Sequence, residues 1–435
     1  MILDTSTVIQ RVSSQSYPIV FAILAVLITV FSYWINEDRC YPGFKVIGME
    51  KGEWGYAKAK KRYVENAVKI MKQGAEDVSI RNLLISLKKA KISNWTAIKL
   101  SQITPQIAAR LSAKVFLGDP ICRHDDWLGI SINYTMDSHI AARRLRSFPS
   151  FLRPFIYWFL PEIRGLKNHV KNARRIIEPE IVARRRARQD AIAAGTRFTA
   201  TDTIGWMDEV ANEANEQFDI VAAQLLLSVV AIHTTSFTMM AFLYDMSSHP
   251  RYIDELREEI VKVLREDGGW KKTSLSKMKL LDSCMKESQR VNVLASALMI
   301  RRAMDSLTLS DGTHIPKGAY LHVPTFEMLD GDRWGPNKHE FDGHRFLNMR
   351  NQPGQEHRWQ FVTTSPEHLG FGHGLHSCPG RFFASNEIKI VMAHLLLKYD
   401  FKLDGPPPKS LIESEYMPDP NYTMFYKSRQ PEIEL

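Results

Sequence analysis

The arrangement richest in chemistry reads Gly370-Phe371-Gly372-His373-Gly374-Leu375-His376-Ser377-Cys378-Pro379-Gly380-Arg381, followed by a helical pattern through Leu397. A cysteine just ahead of a helix meets free backbone N–H groups and the positive end of the helix dipole, both of which favour the thiolate. The glycines let the backbone pass close to a flat cofactor. That is how an iron-ligating thiolate would be held. Three other readings compete with it. A phosphate loop built on G-x-G-x-G needs a preceding strand, whereas Trp359 to Leu369 ends in Ser365-Pro366-Glu367-His368. Zinc held by His373, His376 and Cys378 lacks a fourth ligand or an open water position, and loop residues this close seldom wrap one ion alone. A buried, inert cysteine is the last alternative.

Two further constellations carry polar chemistry. Glu287 and Arg290 stand one helical turn apart and can pair, and Arg345, in Phe341-Asp342-Gly343-His344-Arg345-Phe346, can bridge to the same carboxylate. An exposed i,i+3 ion pair, the plainer reading, contributes little. A long apolar stretch carries Ala231-Ile232-His233-Thr234-Thr235-Ser236, where mid-helix threonines either face a site or bond only to the carbonyl a turn back.

Taken together and in their order along the chain, these segments resemble the cytochrome P450 family. Its cysteine loop, F-x-x-G-x-H-x-C-x-G here, normally has Arg where this chain has His376. The resemblance implies that Cys378 is the axial ligand of the iron of heme b, with Phe371, His376 and Arg301 contributing to cofactor binding. Glu287, Arg290 and Arg345 would form the structural triad. Thr235 matches the threonine of the oxygen-activation turn; Thr234 stands at the acid position and Ile232 where glycine is usual, which puts carboxylate-assisted proton delivery in question. The implied fold is mainly α with a small β part. The implied reaction is monooxygenation of a lipophilic small molecule, with NADPH electrons arriving through a separate NADPH-cytochrome P450 reductase. The HTTS form and strings such as PEHLGFGHG look most like filamentous-fungal members that oxidise terpenoid skeletons, diterpenes or indole-diterpenes, in secondary metabolism.

The elements that must position these residues follow from pattern. The 435 residues, 44% hydrophobic and 24% charged, allow a sizeable buried core, and no Pro- or Gly/Ser-rich linker divides residues 60 to 400. Four widely spaced cysteines without a C-x-x-C pair argue against a disulfide framework. The net charge of +9 suits a membrane or an acidic partner; no nucleic-acid reading module accompanies it. Tyr17 to Ile35 has no charged residue and is long enough to span a bilayer. Lys and Arg after it outnumber the single Arg11 before it, which places 1–16 in the lumen, 17–35 in the endoplasmic reticulum membrane and 36–435 in the cytosol.

Helical periodicity appears at Trp54 to Lys72, over Ser93 to Tyr134 with Ala97, Leu100, Ile103 and Ile107 as core positions, at Asp219 to Ser247, and at Pro250 to Glu266. Phe148 to Leu160 is aromatic and too short to span, fitting core packing, a pocket roof or a membrane dip. The basic run from Arg164 to Arg188 reads as a solvated face or a docking surface for an acidic redox partner or lipid headgroups. Ala193 to Thr203 reads as a loop, and Ser306 to Val323 as short strands with turns at Asp311-Gly312 and Pro316-Lys317-Gly318.

The segment around 73–92 is much shorter than in the family. Part of the N-terminal sheet and the propionate-gripping helix are therefore expected to be missing, leaving His376 and Arg301, with Trp95 a weak substitute. The chain as given is therefore expected to bind heme weakly or to fold poorly; a truncated, catalytically impaired membrane-anchored member is the alternative reading.

Overall fold

The computed structural model describes residues 94–433, apart from 197, 216, 272, 326, 407–410, 413–414, 417–418 and 420. The expected lumenal segment, membrane anchor, helix at 54–72 and shortened segment at 73–92 lie outside the described residues. In chain order the elements are β1 (Thr96–Ile98), α1 (Leu100–Phe116), α2 (Asp125–Arg146), α3 (Arg153–Ile156), α4 (Pro161–Ala193), α5 (Thr203–Ala214), α6 (Ile220–Ser248), α7 (Pro250–Asp267), α8 (Ser274–Lys277) and α9 (Lys279–Val291). Then come β2 (Ala297–Arg302), β3 (Leu307–Thr308), β4 (His314–Ile315), β5 (Tyr320–Pro324), α10 (Glu327–Asp330), α11 (Arg345–Arg350), α12 (Arg381–Lys398), β6 (Tyr399–Leu403), β7 (Leu411–Ile412), β8 (Glu415–Tyr416) and β9 (Met424–Ser428).

Helix α6 organises the packing. Over 29 residues it has almost no polar stripe, so most of it must be enclosed by other elements. It touches α1, α2, α4, α5, α7, α9, α12 and β6. By length and composition it also passes for a membrane span, but most of it is buried among these neighbours, as a core helix is. Its start is fixed by Asp219, whose carboxylate accepts the Ala222 N–H at 3.0 Å. His249 leaves helical geometry and Pro250 opens α7, which ends at Gly268 with φ +65°.

The strands are few: β1-β9-β6 form a three-stranded antiparallel sheet, and β2-β5, β3-β4 and β7-β8 are two-stranded. The expected turns at Gly312 and Gly318 adopt φ of +86° and +85° and connect β3 to β4 and β4 to β5. Three expectations are corrected. Ser93 to Tyr134 does not run as one helical stretch: Ala97 lies exposed on β1, paired with Phe425, because a strand from the far end of the chain takes up its backbone groups. Phe148 to Leu160 packs as core only in part: Leu160 is buried with Phe148, Ile156 and Tyr157 against its cluster, while Phe151, Phe155, Trp158 and Phe159 are 55–79% exposed. The basic run on α4 is only partly a solvated face. Arg184 bonds Glu180 and Asp202, Arg185 and Arg188 reach Asp208, and Arg174 reaches Glu178 and Asp219.

Candidate active site: the cysteine loop

Cys378 lies half-buried, two residues before the cap of α12. Its N–H donates to the Phe371 carbonyl at 2.8 Å, closing the loop on itself. Arg381, in the first turn of α12, donates through Nη1 to the Cys378 carbonyl at 2.8 Å and through Nε to Val362 at 3.1 Å. The Phe371 ring stands edge-on to buried Phe361, with centroids 5.0 Å apart, so this residue anchors the loop to the core. Gly370 is required by close approach: a Cβ there would lie 2.2 Å from the Gln289 side chain on α9. Gly372 and Gly374 have φ of +66° and +73°, conformations that side-chain-bearing residues rarely adopt.

At the sulfur, burial raises the thiol above its ordinary pKa and outweighs the lowering by the Gly380 and Arg381 N–H groups and the Arg381 charge. The helix end alone thus does not favour the thiolate; a metal cation bound to the sulfur would oppose the effect of burial. His373 and His376 do not join Cys378 in a metal cluster, and among the described residues no group of His, Cys, Asp or Glu forms one.

The loop rests on a buried polar frame. Glu287 and Arg290 are both 0% exposed and pair twice, each at 2.8 Å. Arg345 adds Nε contacts of 3.1 and 3.2 Å to the same carboxylate, which also accepts the Asp342 N–H. The guanidinium ends continue to the carbonyls of Met328, Trp334, Asn337 and Glu340. One carboxylate thus ties α9 to the 328–345 segment. Lys286, also on α9, donates to the carbonyls of Gln360 and Thr363 at 3.1 and 2.8 Å, and burial lowers its pKa to about 7. His368 meets the Lys286 carbonyl at 3.2 Å, and burial keeps its ring neutral.

The remaining candidates are placed differently. Thr234 lies on the exposed face of α6, its Oγ1 donating to Val230 at 2.7 Å; Val230 is 56% exposed on a helix otherwise largely covered. Thr235 points into the packed side and is 3% exposed. Arg301 is exposed on β2 and donates to its own neighbour Ile300. His376 is exposed in a single 3-10 turn beside Leu375, which is 91% exposed. Sequence reasoning missed Gln289, Arg381, Lys286 and His368. The string Lys286 to Arg290 held the only signal for two of them.

Comparison with known proteins places the chain. The Cytochrome P450 family model matches residues 65–424. The chain belongs to the cytochrome P450 family. That match contains every site residue named above. Cytochrome P450 monooxygenase hepE of Aspergillus oryzae is 46% identical over 325 residues, 74% of this chain and 58% of that protein. Cytochrome P450 monooxygenase adrA of Penicillium rubens is 42% identical over 377 residues, 86% and 72% respectively. The chain thus spans less than two thirds of hepE. Retinoic acid-bound cyanobacterial CYP120A1, 17% identical with a TM-score of 0.63 over 85% of this chain and 78% of that one, shares the P450 fold.

Proposed function

We propose that this P450 is a heme-thiolate monooxygenase that inserts one oxygen atom from O2 into a lipophilic, terpenoid substrate of fungal secondary metabolism. The observation that carries the reading is the setting of Cys378. A lone cysteine is presented by a glycine-bearing loop at a helix N-terminus, with backbone donors from Gly380 and Arg381 on its sulfur. That setting would let Cys378 hold heme iron through its sulfur. When bound, heme supplies dioxygen activation, helped by electron density from the thiolate.

The chain's own residues do the rest. Arg381 and the Phe371 carbonyl hold the Cys378 backbone, fixing the direction of the sulfur. Arg301 and His376, both exposed, would hold the heme carboxylates. On α6 the motif assigns proton delivery to Thr235, while the hydroxyl on the open face belongs to Thr234; a hydroxyl bonded to a helix carbonyl can still accept from water. Electrons come from NADPH through a separate reductase. The body docks at the endoplasmic reticulum membrane through the expected anchor, and the exposed aromatics at 151–159 support this. Lys167 lies 4.4 Å over the Trp158 ring among them, the aromatic and basic mixture that suits a membrane interface.

Membranes carrying the chain and a reductase, supplied with diterpene and indole-diterpene precursors, should yield hydroxylated products detectable by mass spectrometry. Conversion of fatty acids alone overturns the terpenoid assignment. Thr235→Val and Thr234→Val should both retain heme and raise peroxide formed per product; unchanged coupling assigns Thr235 to packing and leaves the Thr234 hydroxyl with only its helix-carbonyl bond.

A further inference from the structure

Two non-glycine residues have positive φ among those described: Asn215 at +52°, an ordinary left-handed helix end, and Met299 at +55°, which caps nothing. Met299 lies in a bulge. Between the pairs Leu298↔Val323 and Arg301↔Leu321, β2 advances three residues (301 − 298) while β5 advances two (323 − 321). In a regular strand Leu298 and Met299 face opposite sides. Here both pack against the small cluster of Val293, Met328 and Leu369. The left-handed turn at Met299 is what brings the second side chain round to the same side.

The destination is the cysteine loop. The His373 N–H donates to the Met299 sulfur at 3.3 Å, and that sulfur lies where a Cβ on Gly372 would meet it at 3.5 Å. The loop arm is then fixed at successive points: Gly372 N–H to Leu369, His373 N–H to the Met299 sulfur, and Cys378 N–H back to Phe371. A strained backbone persists where its surroundings over-determine it, and such strain clusters at functional sites.

We propose that Met299 is a positioning residue: its sulfur, swung inward by the β2 bulge, accepts the His373 amide and holds the loop that presents Cys378. The role in catalysis rests on the heme-thiolate reading; the role in loop order does not. Two substitutions separate acceptor from filler. Met299→Leu keeps apolar bulk and removes the acceptor. Met299→Gln keeps length and offers a carbonyl oxygen, a stronger acceptor than a thioether.

The first readout is the iodoacetamide alkylation rate of Cys378 in the full heme-free chain, by peptide mass mapping, at matched thermal stability. The second is the rate of heme loss to apomyoglobin. Met299→Leu should speed both about three- to tenfold, the worth of one hydrogen bond, and Met299→Gln should stay within about twofold of the parent. Leu behaving as the parent, or Gln disturbing the loop as much as Leu, overturns the proposal and leaves Met299 as packing. If the parent chain takes up no heme, the functional reading fails while the alkylation comparison still decides the positioning claim.

Discussion

The buried frame around Glu287 and the loop around Cys378 lie in one part of the chain but are built on opposite terms. In the frame a carboxylate at 0% exposure receives two guanidiniums and a backbone N–H, and the guanidiniums reach four carbonyls. In the loop, backbone bonds and glycine conformations do the holding, while Leu375 and His376 are left to solvent. Rigid scaffold and presented loop divide the labour: the first fixes position, the second offers reactive groups. Charge in the frame is costly to disturb and side chains in the loop are cheap to change, apart from those the backbone geometry demands.

Glu287→Ala should produce the largest effect. It strands two arginines, one of them fully buried, and breaking such a pair from one side costs about 3–5 kcal/mol. Urea unfolding of the heme-free chain measures this, and a loss under about 1 kcal/mol would make the frame no different from a surface ion pair. Gly370→Ala comes next, at about 1–3 kcal/mol, because its new methyl overlaps the Gln289 side chain. Gln289→Ala on the same background should recover most of that loss in a double-mutant cycle; additive losses would show that the close approach is not the cause.

Glu387 sharpens the contrast through pH. It lies on α12 at 1% exposure, accepts the Ser112 hydroxyl at 3.2 Å, and has its second oxygen without a hydrogen-bond partner. Burial raises its pKa well above the ordinary carboxylate value. The unfolded chain ionises near the usual pH while the folded one stays protonated, so stability falls as pH rises above about 4.5 toward the folded pKa. Glu387→Gln should flatten this slope in Tm against pH and gain most at neutral pH; an unchanged slope means that the carboxyl is ionised in the fold. Leu375→Ser should do least, within about 0.5 kcal/mol by urea unfolding, since the side chain is 91% exposed. A larger loss would mean that the loop is packed rather than presented.

The sequence made the long helix α6, the turn into α7, the loop after α4 and the cysteine loop legible, because periodicity, Pro250 and clustered glycines act locally. What escaped it depends on partners far along the chain. β1 becomes a strand by pairing Thr96 with Tyr426. The arginines of α4 find carboxylates on or just before α5 and α6. Lys286 looks like a surface lysine until the 360–363 segment closes over it. The inward turn of Met299 has no sequence signal, since its positive φ follows from the register of β2 on β5. Thr234 and Thr235 are adjacent in sequence, and only packing distinguishes the exposed hydroxyl from the buried one.

The central claim is that Cys378 ligates heme iron as a thiolate, and the Soret band of the reduced carbon monoxide complex tests it most directly. The purified 435-residue chain, loaded with heme, should give the thiolate-type band, and Cys378→Ser should lose it while unfolding within about 1 kcal/mol of the parent in the heme-free state. A heme-loaded parent without that band, or a Cys378→Ser variant that retains it, would contradict the account.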